Sequence, residues 1–133
     1  MIESAAAARP LSILFLAEHL DAPEAELILR LHRGGDRVAL MADPERRCCG
    51  PLLAAGIPVT GLRLRGWRDR DGERAIAAIL GAGRWDILHA LQNQPLVNGL
   101  RAARGRGIRT LAYRGAMHLS WLGLLHYRFG GLD

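Results

Sequence analysis

Residues 11–42 read LSILFLAEHLDAPEAELILRLHRGGDRVALMA, and the fold turns on this stretch. Leu11 to Ala17 is a short, almost continuous apolar run, the pattern of a strand buried on both faces. Asp21 and Pro23 then open a helix, with Glu24 and Glu26 in its first turn where the helix dipole favours negative charge. Leu27, Ile28 and Leu31 supply the apolar stripe, and Gly34-Gly35 ends it. Val38 to Ala42 is a second apolar run, stopped by Asp43-Pro44. Strand, helix and strand at this spacing predict a right-handed crossover between parallel strands.

The alternation continues along the chain. A short helix is expected around Cys49–Ala55, ending at Gly56, then a third strand over Ile57–Leu64. Arg65–Glu73 mixes charges of both signs with two glycines and Trp67, and reads as a loop. A helix over Ala75–Leu80, a strand over Ile87–Leu91 and a helix over Pro95–Arg104 follow, the last closed by Gly105 and Gly107. Ile108–Tyr113 is a fifth strand, and Ala116–Phe129 a final helix with Gly123 inside it. The expected architecture is α/β: a three-layer Rossmann-like domain, with a parallel sheet of five or more strands. Its central strands should include residues 11–17, 87–91 and 108–113. Ligands of such sheets bind beyond the carboxyl ends of the strands, so the site belongs in the loops after Ala17, Ala42, Leu64, Leu91 and Tyr113.

A chain of 133 residues suits one domain spanning 1–133, with enough length for a core that needs no staples. Half the residues are apolar and 23% are charged, which excludes a disordered chain. No apolar run approaches the roughly 20 residues that span a bilayer, and Met1–Pro10 lacks the features of a secretory signal. The only cysteines are the neighbours Cys48 and Cys49, so a disulfide framework is excluded and a reducing, cytoplasmic setting is expected.

Charge is distributed unevenly. All 18 basic residues are arginine. Residues 1–86 are balanced, whereas Ile87–Leu132 contains no acidic side chain. A one-sided field of this kind suits phosphorylated ligands or other anionic partners. Nucleic acid is not expected, since no reading motif is present and aromatic residues are scarce.

Most chemical signatures are missing. There is no G-x-G-x-x-G, no phosphate loop and no G-x-S-x-G elbow. The histidines His19, His32, His89, His118 and His126 form no metal-binding spacing with each other or with cysteine, so no metal is expected. Asp43 ends a strand where a ribose often sits, but without the glycine fingerprint it reads as a turn former before Pro44. Two constellations remain. Trp85-Asp-Ile-Leu-His-Ala-Leu-Gln92 brings a titratable His89 near the mouth of the sheet, unless that ring is simply a core histidine. Tyr113-Arg114-Gly115 offers a guanidinium fork beside a backbone that a ligand can approach closely, unless it is an ordinary surface turn.

Three segments together resemble the N-terminal domain of family 4 glycosyltransferases, enzymes of the GT-B type built from two Rossmann-like halves. Glu24-Ala-Glu26 with Leu27, Leu31, Gly35 and Val38 looks like the family's first helix and second strand. Asp86-Ile-Leu-His89-Ala90 is similar to its D-I-V-H-A-H strand, with Leu91 in place of the second histidine. Ile108–Thr110, Ala112 and Tyr113-Arg-Gly115 look like its fifth strand and the turn after it, where many members carry His-Gly. The family's Gly-Gly turn ahead of the first helix is Asp21-Ala-Pro23 here.

The resemblance implies a retaining enzyme that moves a sugar from a nucleotide-sugar donor to an acceptor hydroxyl, with neither metal nor cofactor. It makes Arg114 and His89 the candidate catalytic residues, and Gly115, Gln92, Asn93 and Asp21 the candidate substrate-binding ones. The acceptor would be a sugar or a lipid-linked glycan. The donor-binding C-terminal domain would lie outside the chain, which alone should then bind nucleotide sugars weakly and turn nothing over. Met117, Leu119, Trp121, Leu122, Leu124, Leu125 and Phe129 read as a surface for that missing domain or a partner chain. A peripheral contact with the inner membrane face is the competing reading. From another class, the chain reads as a non-catalytic Rossmann-like module that binds an anionic partner through its basic second half.

Overall fold

A computed structural model describes residues 9–45 and 49–112. Nine elements alternate along them: β1 (Ser12–Leu16), α1 (Ala22–Arg33), β2 (Arg37–Ala42), α2 (Gly50–Ala54), β3 (Val59–Gly61), α3 (Arg70–Gly81), β4 (Ile87–Ala90), α4 (Asn93–Ala103) and β5 (Arg109–Ala112). All five strands are parallel, in the order β3-β2-β1-β4-β5. The chain therefore winds outward from β1 to β3, then crosses back to place β4 on the other side of β1. β1 is central, as expected, whereas β5 is an edge strand among the described residues.

Alternation along β1 sorts its side chains between two cores. Ile13 and Phe15 pack with Ile28 and Leu29 of α1 and Leu52 of α2 on one face. Leu14 and Leu16 pack with Ile76 and Leu80 of α3, and with Ala102 and Ala103 of α4, on the other. Leu88 on β4 is fully buried. Two layers of helix on a sheet explain why these strands read as unbroken apolar runs.

Local signals set most boundaries. Asp21 precedes α1, and the Glu24 carboxylate reaches back to accept its N–H at 2.9 Å. Gly35 takes the turn into β2 at φ +101°, a conformation that disfavours any side chain. Two segments differ from expectation. β3 is only three residues long, because it pairs with Leu40–Ala42 alone at the sheet edge. α3 begins at Arg70 rather than Ala75. Asp69 caps it by accepting the Gly72 N–H at 2.9 Å, and the helix's charged first turn hides this start from apolar periodicity.

At the amino edge of the sheet, Asp86 joins three strands. Its carboxylate accepts the Ser12 N–H at 2.8 Å and pairs with Arg9 at 2.6 Å, and its carbonyl accepts the Arg109 N–H. The Ser12 bond, followed by Arg9, holds this carboxyl below the usual carboxylate range; bonds from Gly72 and Arg65 do the same for Asp69. A lowered folded pKa stabilises the fold above the unfolded value, and that contribution disappears as pH falls through the folded value. Stability should thus decline below about pH 4. Asp86→Asn should show a shallower acid limb in denaturation midpoints measured across that range. An unchanged limb would mean that Asp86 contributes nothing to it.

Candidate functional site

The carboxyl edge of β1, β2 and β3 carries a hollow of about 760 Å³. Glu18 and His19 enter it from the loop after β1, Asp43 from the end of β2, and Arg63 and Arg65 from the segment after β3. Strand-like alternation explains the arginines: Leu62 and Leu64 turn into the α3-side core, while Arg63 and Arg65 are exposed. Arg63 pairs with Asp43 at 3.3 Å and with Glu45 at 3.6 Å. Asp43 also accepts the Glu45 N–H at 3.1 Å, the turn-forming role its place before Pro44 suggests.

Gln92 spans the switch point between β1 and β4. Its Oε1 accepts the Glu18 N–H at 2.7 Å, and its Nε2 donates to the His19 carbonyl at 2.9 Å. Both ends of the amide are thus engaged with the β1–α1 loop. Asn93 opens α4 and is exposed, and Asp21 stands exposed before α1.

His89 is third in β4, paired in register with Phe15. Its ring stacks on Phe15 with centroids 5.1 Å apart and a 30° interplanar angle. It is half-buried and does not line the hollow. Burial holds its pKa below the ordinary imidazole value, so the ring is neutral near pH 7. Arg114, Gly115 and the apolar stretch from Met117 to Phe129 lie outside the described residues.

Glu18, His19, Arg63 and Arg65 are site residues that motif reading passed over. The alternation Leu62-Arg63-Leu64-Arg65 at a strand's carboxyl end was the available signal for the arginines. Among the described arginines of the basic second half, Arg104, Arg106 and Arg109 are exposed around the α4–β5 turn, at the amino edge of the sheet, and Arg101 in the last turn of α4 donates to the Trp67 carbonyl. A second hollow, of about 410 Å³, also lies at that edge, between Val38 of β2 and Trp85. Among the described residues, no three His, Cys, Asp or Glu side chains are grouped to hold a metal. None of their helices is long and apolar enough to cross a membrane.

No protein-family model matches the chain, and no curated protein matches it in sequence. Among solved structures it is similar to MurG of Acinetobacter baumannii, with a TM-score of 0.68 over 90% of this chain at 16% identity. The fold is that of one GT-B half. It is a five-stranded parallel sheet with flanking helices, of the kind seen in the glycosyltransferase MurG. The chain spans 39% of the MurG chain.

Proposed function

We propose that this chain is the acceptor-side half of a retaining glycosyltransferase of the family 4 kind. The observation that carries the reading is the hollow at the carboxyl edge of a GT-B-like sheet, which mixes carboxylates, guanidinium groups and an imidazole. Carboxylates and imidazoles accept the hydroxyl hydrogens of a sugar, and arginine forks hold phosphate or carboxylate. In the reaction, an acceptor hydroxyl replaces the nucleotide diphosphate at the donor's anomeric carbon, and configuration is retained. The donor site would reside mainly on a second Rossmann-like half. Arg114 is permanently protonated, so its role is electrostatic: to orient the acceptor or steady the phosphate charge as the donor bond breaks. On the same reading His89 would act through a neutral ring, and Gly115, Gln92, Asn93 and Asp21 would bind substrate. The work would take place in the cytoplasm, with a lipid-linked acceptor reached at the inner membrane face.

Sugar transfer is assayed from a panel of nucleotide sugars, with the chain alone and with the chain fused to a donor-binding GT-B half. Turnover should require the second half, and product NMR should report a retained anomeric configuration. Arg114→Lys keeps the charge but loses the fork, and should lower turnover by about tenfold or more with little change in Tm. Turnover by the isolated chain would overturn the division of labour, and an inverted product would overturn the family 4 reading.

A further inference from the structure

The walls of the hollow are held from behind on two sides. On the β1 side, Gln92 fixes the backbone of Glu18 and His19 through two hydrogen bonds. On the β3 side, Asn98 of α4 is fully buried and holds the loop ahead of α3. Its Oδ1 accepts the Asp69 N–H at 2.9 Å, and its Nδ2 donates to the Gly66 carbonyl at 3.1 Å. Asp69 in turn accepts the Arg65 N–H at 2.9 Å, and Arg101 donates to the Trp67 carbonyl at 2.9 Å. Each wall is therefore ordered by bonds to α4 or its cap.

Between these walls the charges are unequally satisfied. Arg63 is occupied by Asp43 and Glu45. The Arg65 guanidinium is close enough to Asp69 for its charge to help lower that carboxyl's pKa, but it makes no ion pair within 4 Å of a described carboxylate; the Glu18 carboxylate makes none with a described cation. Opposite charges on flexible loops would close onto each other, but these are carried on clamped backbone and remain separate. A ligand fits this arrangement if it offers an anion to Arg65 and hydrogen-bond donors to Glu18. Leu64, half-buried at the wall, presents apolar surface for the C–H face of a ring, and His19 adds a further polar contact.

We propose that the hollow binds a pyranose carrying an acidic substituent, with its hydroxyls on Glu18 and its phosphate or carboxylate on Arg65. This rests on the glycosyltransferase reading for its role as an acceptor, but the binding itself needs neither donor nor turnover. Calorimetry on the 133-residue chain with glucose 1-phosphate, glucuronate, glucose and inorganic phosphate tests it directly. The charged sugars should bind about tenfold or more tightly than glucose or inorganic phosphate. A preference between glucose 1-phosphate and glucuronate identifies which acidic group the fork receives.

Arg65→Gln should erase the advantage of the charged sugars over glucose. Glu18→Gln should weaken every sugar while leaving inorganic phosphate unaffected. Both positions are solvent-accessible, so Tm should hold and serves as the folding control. Equal affinity for glucose and the charged sugars would overturn the proposal, as would an Arg65→Gln chain that binds like wild type. Tighter binding of a zwitterionic amino acid than of either charged sugar would also overturn it. A chain that binds the charged sugars but supports no transfer even when fused to a donor-binding half would refute the transferase reading and leave this one standing.

Discussion

Phe15→Ala should destabilise the domain by about 3–5 kcal/mol, the usual cost of emptying a buried aromatic site. Phe15 is fully buried in the central strand, in register with Leu40 of β2 and His89 of β4, and packs in the α1-side core. Sheet strands on both sides limit how far the backbone can collapse into the space. For a domain of this size the loss corresponds to a fall in Tm of roughly 10–20 °C. A second readout follows from the His89 ring stacked on it. Burial keeps that imidazole neutral in the folded state, so wild-type stability declines as pH falls from about 6.5 toward the lower folded value. Opening the Phe15 site admits water to the ring. The His89 titration followed by NMR should then move up toward the ordinary value, and this part of the pH dependence should shrink. A Tm within about 3 °C of wild type would mean that the core closes over the gap.

Asn98→Leu should cost about 2–4 kcal/mol although the side chain keeps much of its shape, because two backbone groups lose a buried partner. The Asp69 N–H and the Gly66 carbonyl both depend on the Asn98 amide. The third bond, from Nδ2 to the Gln94 carbonyl, lies within α4 and matters less, since that carbonyl also has the helix. Effects should concentrate in one place. Hydrogen exchange should accelerate across residues 65–72, where the α3 cap and Arg65 are anchored, and change little in β1 and β2. Uniform loss of protection, or none, would count against a dedicated clamp. If the loop loosens, charged-sugar binding should weaken with it, since Arg65 would no longer be held apart from Glu18.

Local chemistry wrote much of this fold into the sequence. The apolar run at 11–17, the Asp21-Ala-Pro23-Glu24 start and the Gly34-Gly35 stop mark β1 and α1 to within a residue or two, because strand burial and helix ends depend on near neighbours in the chain. Parallel winding followed from the same alternation. The α3 start was missed because Asp69, Asp71, Gly72 and Glu73 look like a loop until Asp69 is seen to cap the helix. His89 was legible as a residue of the fourth strand, but not its placement against Phe15, which lies 74 positions earlier in the chain.

The hollow belongs to tertiary structure alone. Gln92 reaches Glu18 across 74 residues, Asn98 reaches Asp69 across 29, and Arg63 meets Asp43 across 20. No period or spacing encodes such pairs, since they arise only when the order β3-β2-β1-β4-β5 brings the loops after β1, β2 and β3 to one edge. The sequence by itself determined most of the described elements and their parallel sense, because these follow from short-range sterics and apolar periodicity. Which side chains share that edge, and which charges there remain unpaired, was decided by long-range packing of loops whose own sequences specify no contact.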